Sequence, residues 1–289
     1  MRSEREMLAL IIDTAMKDER IRLVIMNGSR ANPHAPRDMF QDYDIVYMVT
    51  DVEPFINNRE WIKRFGDLMI MEMPETMQEP PPGADGGFAY LMQFLDGNRI
   101  DLGIYPLSKL NERLGDSLSV LLLDKDGIVK PLPPPSESDY LPRQPNPKSF
   151  SDCCTEFWWI CTYVAKGLWR DEVVYAHTML DHFARSQLHR MLAWHIGSKT
   201  GFSRNLGKFG KYYRRYLEPE VWNMLERTYA DGTCNGLWEA LFAMCDLFRV
   251  ASTSIAQQFG YEYPSSDDQN VTAHLRHVRG LPRQATEMY

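Results

Sequence analysis

Seven prolines fall between Pro131 and Pro147, and neither a helix nor a central strand can run through such a stretch. The chain must divide there, and its two sides read differently. Ahead of the prolines, short β-type runs alternate with turn signals. Ile21–Met26 ends in Asn27-Gly28-Ser29, and Tyr43–Thr50 and Leu68–Met73 are further apolar runs. Phe88–Leu95 and Arg99–Tyr105 flank Asp96-Gly97-Asn98, a strong hairpin signal. Val120–Leu123 adds a short strand before the turn at Asp124–Gly127. Residues 4–20 place Met7, Leu8, Ile11, Ile12, Ala15 and Met16 at helical spacing. Behind the prolines the strand signals fade. Helices are expected from Ser151 to about Gly167 and over Glu172–Ser198, with others near 207–216, 218–229 and 235–259.

The expected fold class is therefore α+β. Residues 1–135 form an N-terminal domain with a small mixed sheet, 136–150 a Pro-rich linker, and 151–264 a C-terminal helical bundle. Residues 265–289 are polar and weakly patterned, and read as a loosely ordered tail. With 289 residues, 44% of them hydrophobic, the chain can bury two cores. No apolar run approaches the roughly 18 residues that span a bilayer, so no membrane role is expected. The N-terminus is too charged for a secretory signal, and the five cysteines form no CxxC pair. Reduced thiols in the cytoplasm are the simplest expectation. The chain is expected to act as a monomer or small homo-oligomer.

Charge is uneven. Residues 1–145 carry 24 acidic against 16 basic side chains, whereas the remainder is nearly balanced within a net charge of -7. An acidic half argues against nucleic acid as a partner, since that needs a basic surface. It suits a cationic small molecule. Within that half, Asp42-Tyr43-Asp44 opens a strand twelve residues past the Gly28-Ser29-Arg30 turn. Residues two apart on a strand face the same way, so Asp42 and Asp44 present two carboxylates to one point. Asp101 lies on the outgoing arm of the hairpin between apolar neighbours. If that arm pairs beside the Asp42–Asp44 strand, three carboxylates converge as metal ligands. Two magnesium ions held by such oxygens clamp both ends of an in-line phosphoryl displacement. Gly28 lets the backbone approach a phosphate and Ser29 offers a hydroxyl and an amide. Arg30 either contacts the nucleotide phosphates or is structural.

These residues also carry a resemblance. Gly28-Ser29-Arg30, Gln41-Asp42-Tyr43-Asp44-Ile45 and Asp101-Leu102 resemble the polymerase-β-like nucleotidyltransferases. MRSEREML, DERIRLV, FQDYDI, LLDKDG, DCCTEFWW, YVAKGL and MLAWHI narrow this to the aminoglycoside 6-adenylyltransferases, over roughly residues 1–263. The resemblance implies a small nucleotidyltransferase domain, a helical substrate-binding domain, and a site in the cleft between them. It implies ATP and Mg2+ as cofactors and transfer of AMP to a hydroxyl of streptomycin. The family turn often carries an acidic residue where Asn27 stands, and the segment after Pro264 diverges.

Two acidic residues of the second half are candidates for the base that deprotonates the attacking hydroxyl, Asp181 and Glu156. Asp181 is expected to be the base. It sits mid-helix between apolar residues, where a carboxylate needs a partner or a task. Lys166 ends an apolar helical stretch; it compensates the helix dipole or, as the resemblance suggests, reaches the triphosphate. His195 reads as a core histidine. Two other functions share parts of this pattern: an RNA-end nucleotidyltransferase, which would need a basic aromatic track, and a non-catalytic nucleotide-binding regulator, which would not need all three aspartates.

Overall fold

The computed structural model describes residues 1–79 and 85–289. The chain forms two compact units, Met1–Asp139 and Tyr140–Tyr289. Among the described residues, no helix is long and apolar enough to cross a membrane.

The first unit opens with α1 (Glu4–Met16), started by a capping box in which Ser3 and Glu6 satisfy each other's backbone N–H groups. Met7, Ile11 and Ala15, four residues apart, form its buried stripe. The helix stops short of residue 20. Asp18 accepts from the backbone and guanidinium of Arg20 instead, a local arrangement that competes with further helix. Among the described residues six strands follow: β1 (Ile21–Asn27), β2 (Tyr43–Val49), β3 (Leu68–Glu72), β4 (Phe88–Phe94), β5 (Arg99–Pro106) and β6 (Val120–Asp124). Short helices α2 (Gly28–Ala31), α3 (Glu53–Asn57) and α4 (Leu110–Arg113) lie between them.

The sheet order is β3-β4-β5-β2-β1-β6. Every neighbouring pair is antiparallel except β2 and β5, which run parallel. One face is covered by the larger core, where Met7 and Ile11 pack with Tyr47, Phe55, Phe65 and Tyr90. On the other face a smaller cluster of Leu23, Ile25, Val46 and Met48, roofed by Tyr105, Leu107 and Leu110, covers only one end. The opposite end of this face, where β2 and β5 begin, is left open by that cluster.

The second unit is helical. Helix α5 (Pro147–Trp169) starts earlier than the sequence suggests, because Asn146 caps it and Pro147 fits its first turn. Pro147 therefore belongs to the bundle. Ser136 and Asp139 are instead tied to Ser117 of the first unit. The expected helix over 172–198 is a run of α6 (Val173–Thr178), a π-helical turn (Met179–Ala184) and α7 (Arg185–Thr200). Helices α8 (Pro219–Glu226) and α9 (Cys234–Phe259) follow. Phe157 of α5 stacks on Phe248 of α9 with ring centres 3.8 Å apart, and Trp158 meets both edge-on.

One expectation is corrected. Residues 265–280 are not a loose tail but a helix, α10 (Ser265–Gly280), packed on α5. Its apolar stripe is only Val271, Leu275 and Val278, diluted by polar neighbours, so periodicity alone does not reveal it. A buried polar latch does the rest. Asp268, 4% exposed, accepts from Arg249 through both oxygens at 2.6 Å and from the Tyr263 hydroxyl at 2.7 Å. Replacing Asp268 with Ala should destabilise the second unit by about 2–3 kcal/mol, below the full cost of orphaning a buried charge because Arg249 keeps some access to water. Chemical denaturation measures this. A loss within the roughly 0.5 kcal/mol of an ordinary surface substitution would show that α10 is not docked.

Candidate active site

The parallel pairing of β2 with β5 sets Asp44 directly beside Asp101. On the other flank Asp44 is opposite Asn27, the last residue of β1. Asp42 precedes β2 by one residue and shares the face of Asp44. The three aspartates thus gather at the open end of the sheet, as the sequence suggests. Their fields interact. Burial, then the charges of Asp101 and Asp42, push the Asp44 carboxyl up to about 6. Asp42 is also raised, by burial first, with Arg99 opposing and Asp101 adding to the rise.

Arg99 is the residue that sequence reasoning passed over. Its guanidinium donates to both oxygens of Asp101 at 2.8 Å and lies 3.7 Å from Asp42. It stands two residues before Asp101 on the same strand face, and that spacing was the available signal. Among the described residues, no group of three His, Cys, Asp or Glu side chains is arranged to hold a metal ion as it stands. Arg99 supplies the positive charge between the carboxylates instead. The donor set nonetheless suits a hard divalent cation: carboxylate oxygens on neighbouring strands, with Asp44 carrying a repulsion that a cation relieves. The Arg99–Asp101 pair is no obstacle. Its partners are 41% and 22% exposed, and such pairs contribute only about 0–1 kcal/mol.

Gly28 closes the site from the β1 side. Its φ is +70°, a conformation L-residues rarely adopt, and a Cβ there would collide with Asp44 Oδ2 and lie 2.8 Å from its Cγ. The backbone of the Gly28-Ser29 turn therefore rests against the Asp44 carboxylate. The carbonyl of Ser29 accepts from the Gln41 side chain at 3.2 Å, fixing the turn to the loop before β2.

Arg30 is placed otherwise than as a phosphate ligand. It is 7% exposed, donates to the carbonyls of Gln41 and Asp42, and stacks 3.7 Å over the Tyr43 ring. The structural role is the one it fills: it holds the segment that presents Asp42. Asp181 lies in the π-helical turn of the second unit. Arg185 donates to its Oδ1 at 2.7 Å, and His177 Nε2 is 3.3 Å from its Oδ2. Arg185 is itself anchored by Thr228. Asp181 thus has a partner, and its apolar sequence neighbours no longer require a catalytic explanation. Lys166, near the end of α5, has its ammonium 4.8 Å over the Tyr163 ring. Glu156 is exposed on α5. His195 is a buried core residue, 2% exposed.

The family model for streptomycin adenylyltransferase matches residues 1–278. The chain belongs to the streptomycin adenylyltransferase family. It is 42% identical over 270 residues to an aminoglycoside 6-adenylyltransferase of Bacillus subtilis, covering 93% of this chain and 95% of that one. A Campylobacter jejuni protein of the same description is also 42% identical, covering 93% of each. A crystal structure of an aminoglycoside 6-adenyltransferase from Bacillus subtilis, 36% identical, covers 97% of this chain and all of that one with a TM-score of 0.49. Membership makes this chain a nucleotidyltransferase.

Gly28→Ala tests the close approach. The variant should fold with a loss of about 1–2 kcal/mol from the left-handed backbone. Displacement of Asp44 should lower nucleotidyl transfer by on the order of 10²-fold. Thermal denaturation and initial rates together check this, and a Gly28→Ala enzyme of normal rate would show that Asp44 is not fixed by the turn.

Proposed function

We propose that this protein transfers AMP from magnesium-ATP to the 6-hydroxyl of streptomycin and releases pyrophosphate. The observation that carries the proposal is the Asp44–Asp101 register beside the Gly28-Ser29 turn. The descriptions of the relatives and the acidic balance of residues 1–145 support a cationic aminoglycoside as acceptor.

In the proposed reaction the substrate hydroxyl oxygen bonds to the α-phosphorus, and the bond from that phosphorus to the bridging oxygen of pyrophosphate breaks. Asp42, Asp44 and Asp101 would hold the divalent metal, which would supply neutralisation of charge on the transferring phosphoryl group. Gly28 and Ser29 seat the phosphates against this end of the sheet, and the YVAKGL lysine, Lys166, is the proposed cation for the triphosphate. Arg99, which pairs with Asp101, would give up that pair for Asp101 to serve as a metal ligand. The hydroxyl proton goes to Asp181. Arg185 fixes its Oδ1, and Oδ2, with His177 Nε2 3.3 Å away, is the oxygen proposed to take the proton.

Three outcomes are expected. Asp44→Asn should fold normally and lose on the order of 10³-fold or more in turnover, since a lost metal ligand removes several kcal/mol of transition-state stabilisation. A folded Asp44→Asn enzyme with near-normal rates would refute the metal assignment. Mass spectrometry of reactions with magnesium-ATP should show an AMP adduct on streptomycin, and an adduct on kanamycin alone would overturn the acceptor. Asp181→Asn should keep ATP affinity and lose about 10²–10⁴-fold in kcat, partly recovered at high pH. If it lowers the melting temperature and leaves kcat intact, Asp181 serves only the Arg185 clamp.

A further inference from the structure

The strand registers place one residue from each of five strands in a single row across the open face. Glu72 of β3 is opposite Leu91 of β4, Leu91 opposite Asp101 of β5, Asp101 beside Asp44 of β2, and Asp44 opposite Asn27 of β1. Directly paired residues share a face, so all five side chains rise on the same side of the sheet. Strands lie 4.7–4.9 Å apart, which puts Glu72 about 10 Å from Asp101 along the row.

The two ends of the row have different surroundings. Toward β1 it meets the Gly28-Ser29 turn, the proposed seat of the phosphates. An in-line displacement holds the attacking and leaving oxygens on opposite sides of the phosphorus. Pyrophosphate leaving toward β1 therefore means that the acceptor arrives over β5, β4 and β3. Leu91 supplies an apolar floor there, and Ile70, two residues before Glu72 on the same face, is 68% exposed. Glu72 is exposed at the far edge, and among the described residues no cation or donor pairs with it. The nearby Glu75, by contrast, is engaged with the backbone N–H of Ala89 at 2.8 Å.

We propose that Glu72 is a specificity-determining residue: its carboxylate pairs with a guanidinium of the acceptor while the acceptor ring lies on Leu91 and presents its hydroxyl near Asp101. This rests on the function proposed above and names the part of the site that selects a cationic acceptor. A planar guanidinium meets a carboxylate through two parallel hydrogen bonds, whereas a neutral amide in its place offers a single weaker one.

Steady-state kinetics of the full chain with Glu72→Gln test the assignment. With streptomycin, KM for the acceptor should rise roughly tenfold or more, as for loss of a charge-assisted hydrogen bond, with kcat within about twofold and KM for ATP unchanged. With an analogue whose guanidino groups are replaced by neutral carbamoyl groups, wild type and Glu72→Gln should be indistinguishable. A purely structural role would change both acceptors alike and lower the melting temperature. An active wild type with an unmoved streptomycin KM in Glu72→Gln overturns the assignment of Glu72 alone. A wild type that adenylylates no guanidinylated acceptor overturns the proposed function and this inference together.

Discussion

The site depends on one parallel pairing in an otherwise antiparallel sheet. β2 and β5 run side by side in the same direction, and Asp44 and Asp101 fall abreast because of it. Two carboxylates on neighbouring strands repel, and burial sharpens the repulsion at Asp44, whose carboxyl is pushed up to about 6. The arrangement persists because the rest of β2 is firmly held. Val46, Tyr47 and Met48 are buried on both faces of the sheet, and the Tyr47 hydroxyl donates to the Ile11 carbonyl at 2.7 Å. Packing of the far end of the strand thus offsets an electrostatic cost at the near end. A cation placed among these carboxylates would relieve that cost.

Arg99 balances the negative charge of the cluster. Its pair with Asp101 is partly exposed, so it balances charge without being hard to displace. A divalent ion brings twice the charge with no side-chain entropy to lose. Arg30 does the opposite work: it is buried, bonded to two carbonyls and stacked on Tyr43, and it fixes the loop that delivers Asp42. Two arginines near the same carboxylates therefore differ in role through their exposure and their partners.

Much of this was legible in the sequence, and the gaps have physical causes. The Asp42–Asp44 spacing shows a shared strand face, and Asp-Gly shows the hairpin that carries Asp101. Neither shows that β5 rather than β4 lies beside β2, because strand order depends on long-range pairing that local patterns do not encode. Arg99 was visible by the same two-residue rule that exposed the aspartates. The burial of Arg30 was not, since guanidinium groups are almost never buried without partners, and its partners, the Gln41 and Asp42 carbonyls and the Glu4 carboxylate, meet it only through the fold. α10 was hidden because its apolar stripe is three residues wide and its anchor is an ion pair, Arg249–Asp268. Asp181 shows the limit of the apolar-run argument: Arg185, four residues on, is a partner for its carboxylate, so the run alone does not demand a task for it.

Manganese binding read by electron paramagnetic resonance tests the central claim most directly, because it reports the carboxylate cluster without requiring turnover or an acceptor. Titrated with a non-hydrolysable ATP analogue present, the wild-type protein should bind Mn2+ tightly, and Asp101→Asn should weaken that binding by an order of magnitude or more while retaining its fold. Equal Mn2+ affinity in the wild type and Asp101→Asn would contradict the account, since the parallel pairing of β2 with β5 would then have no part in holding the metal.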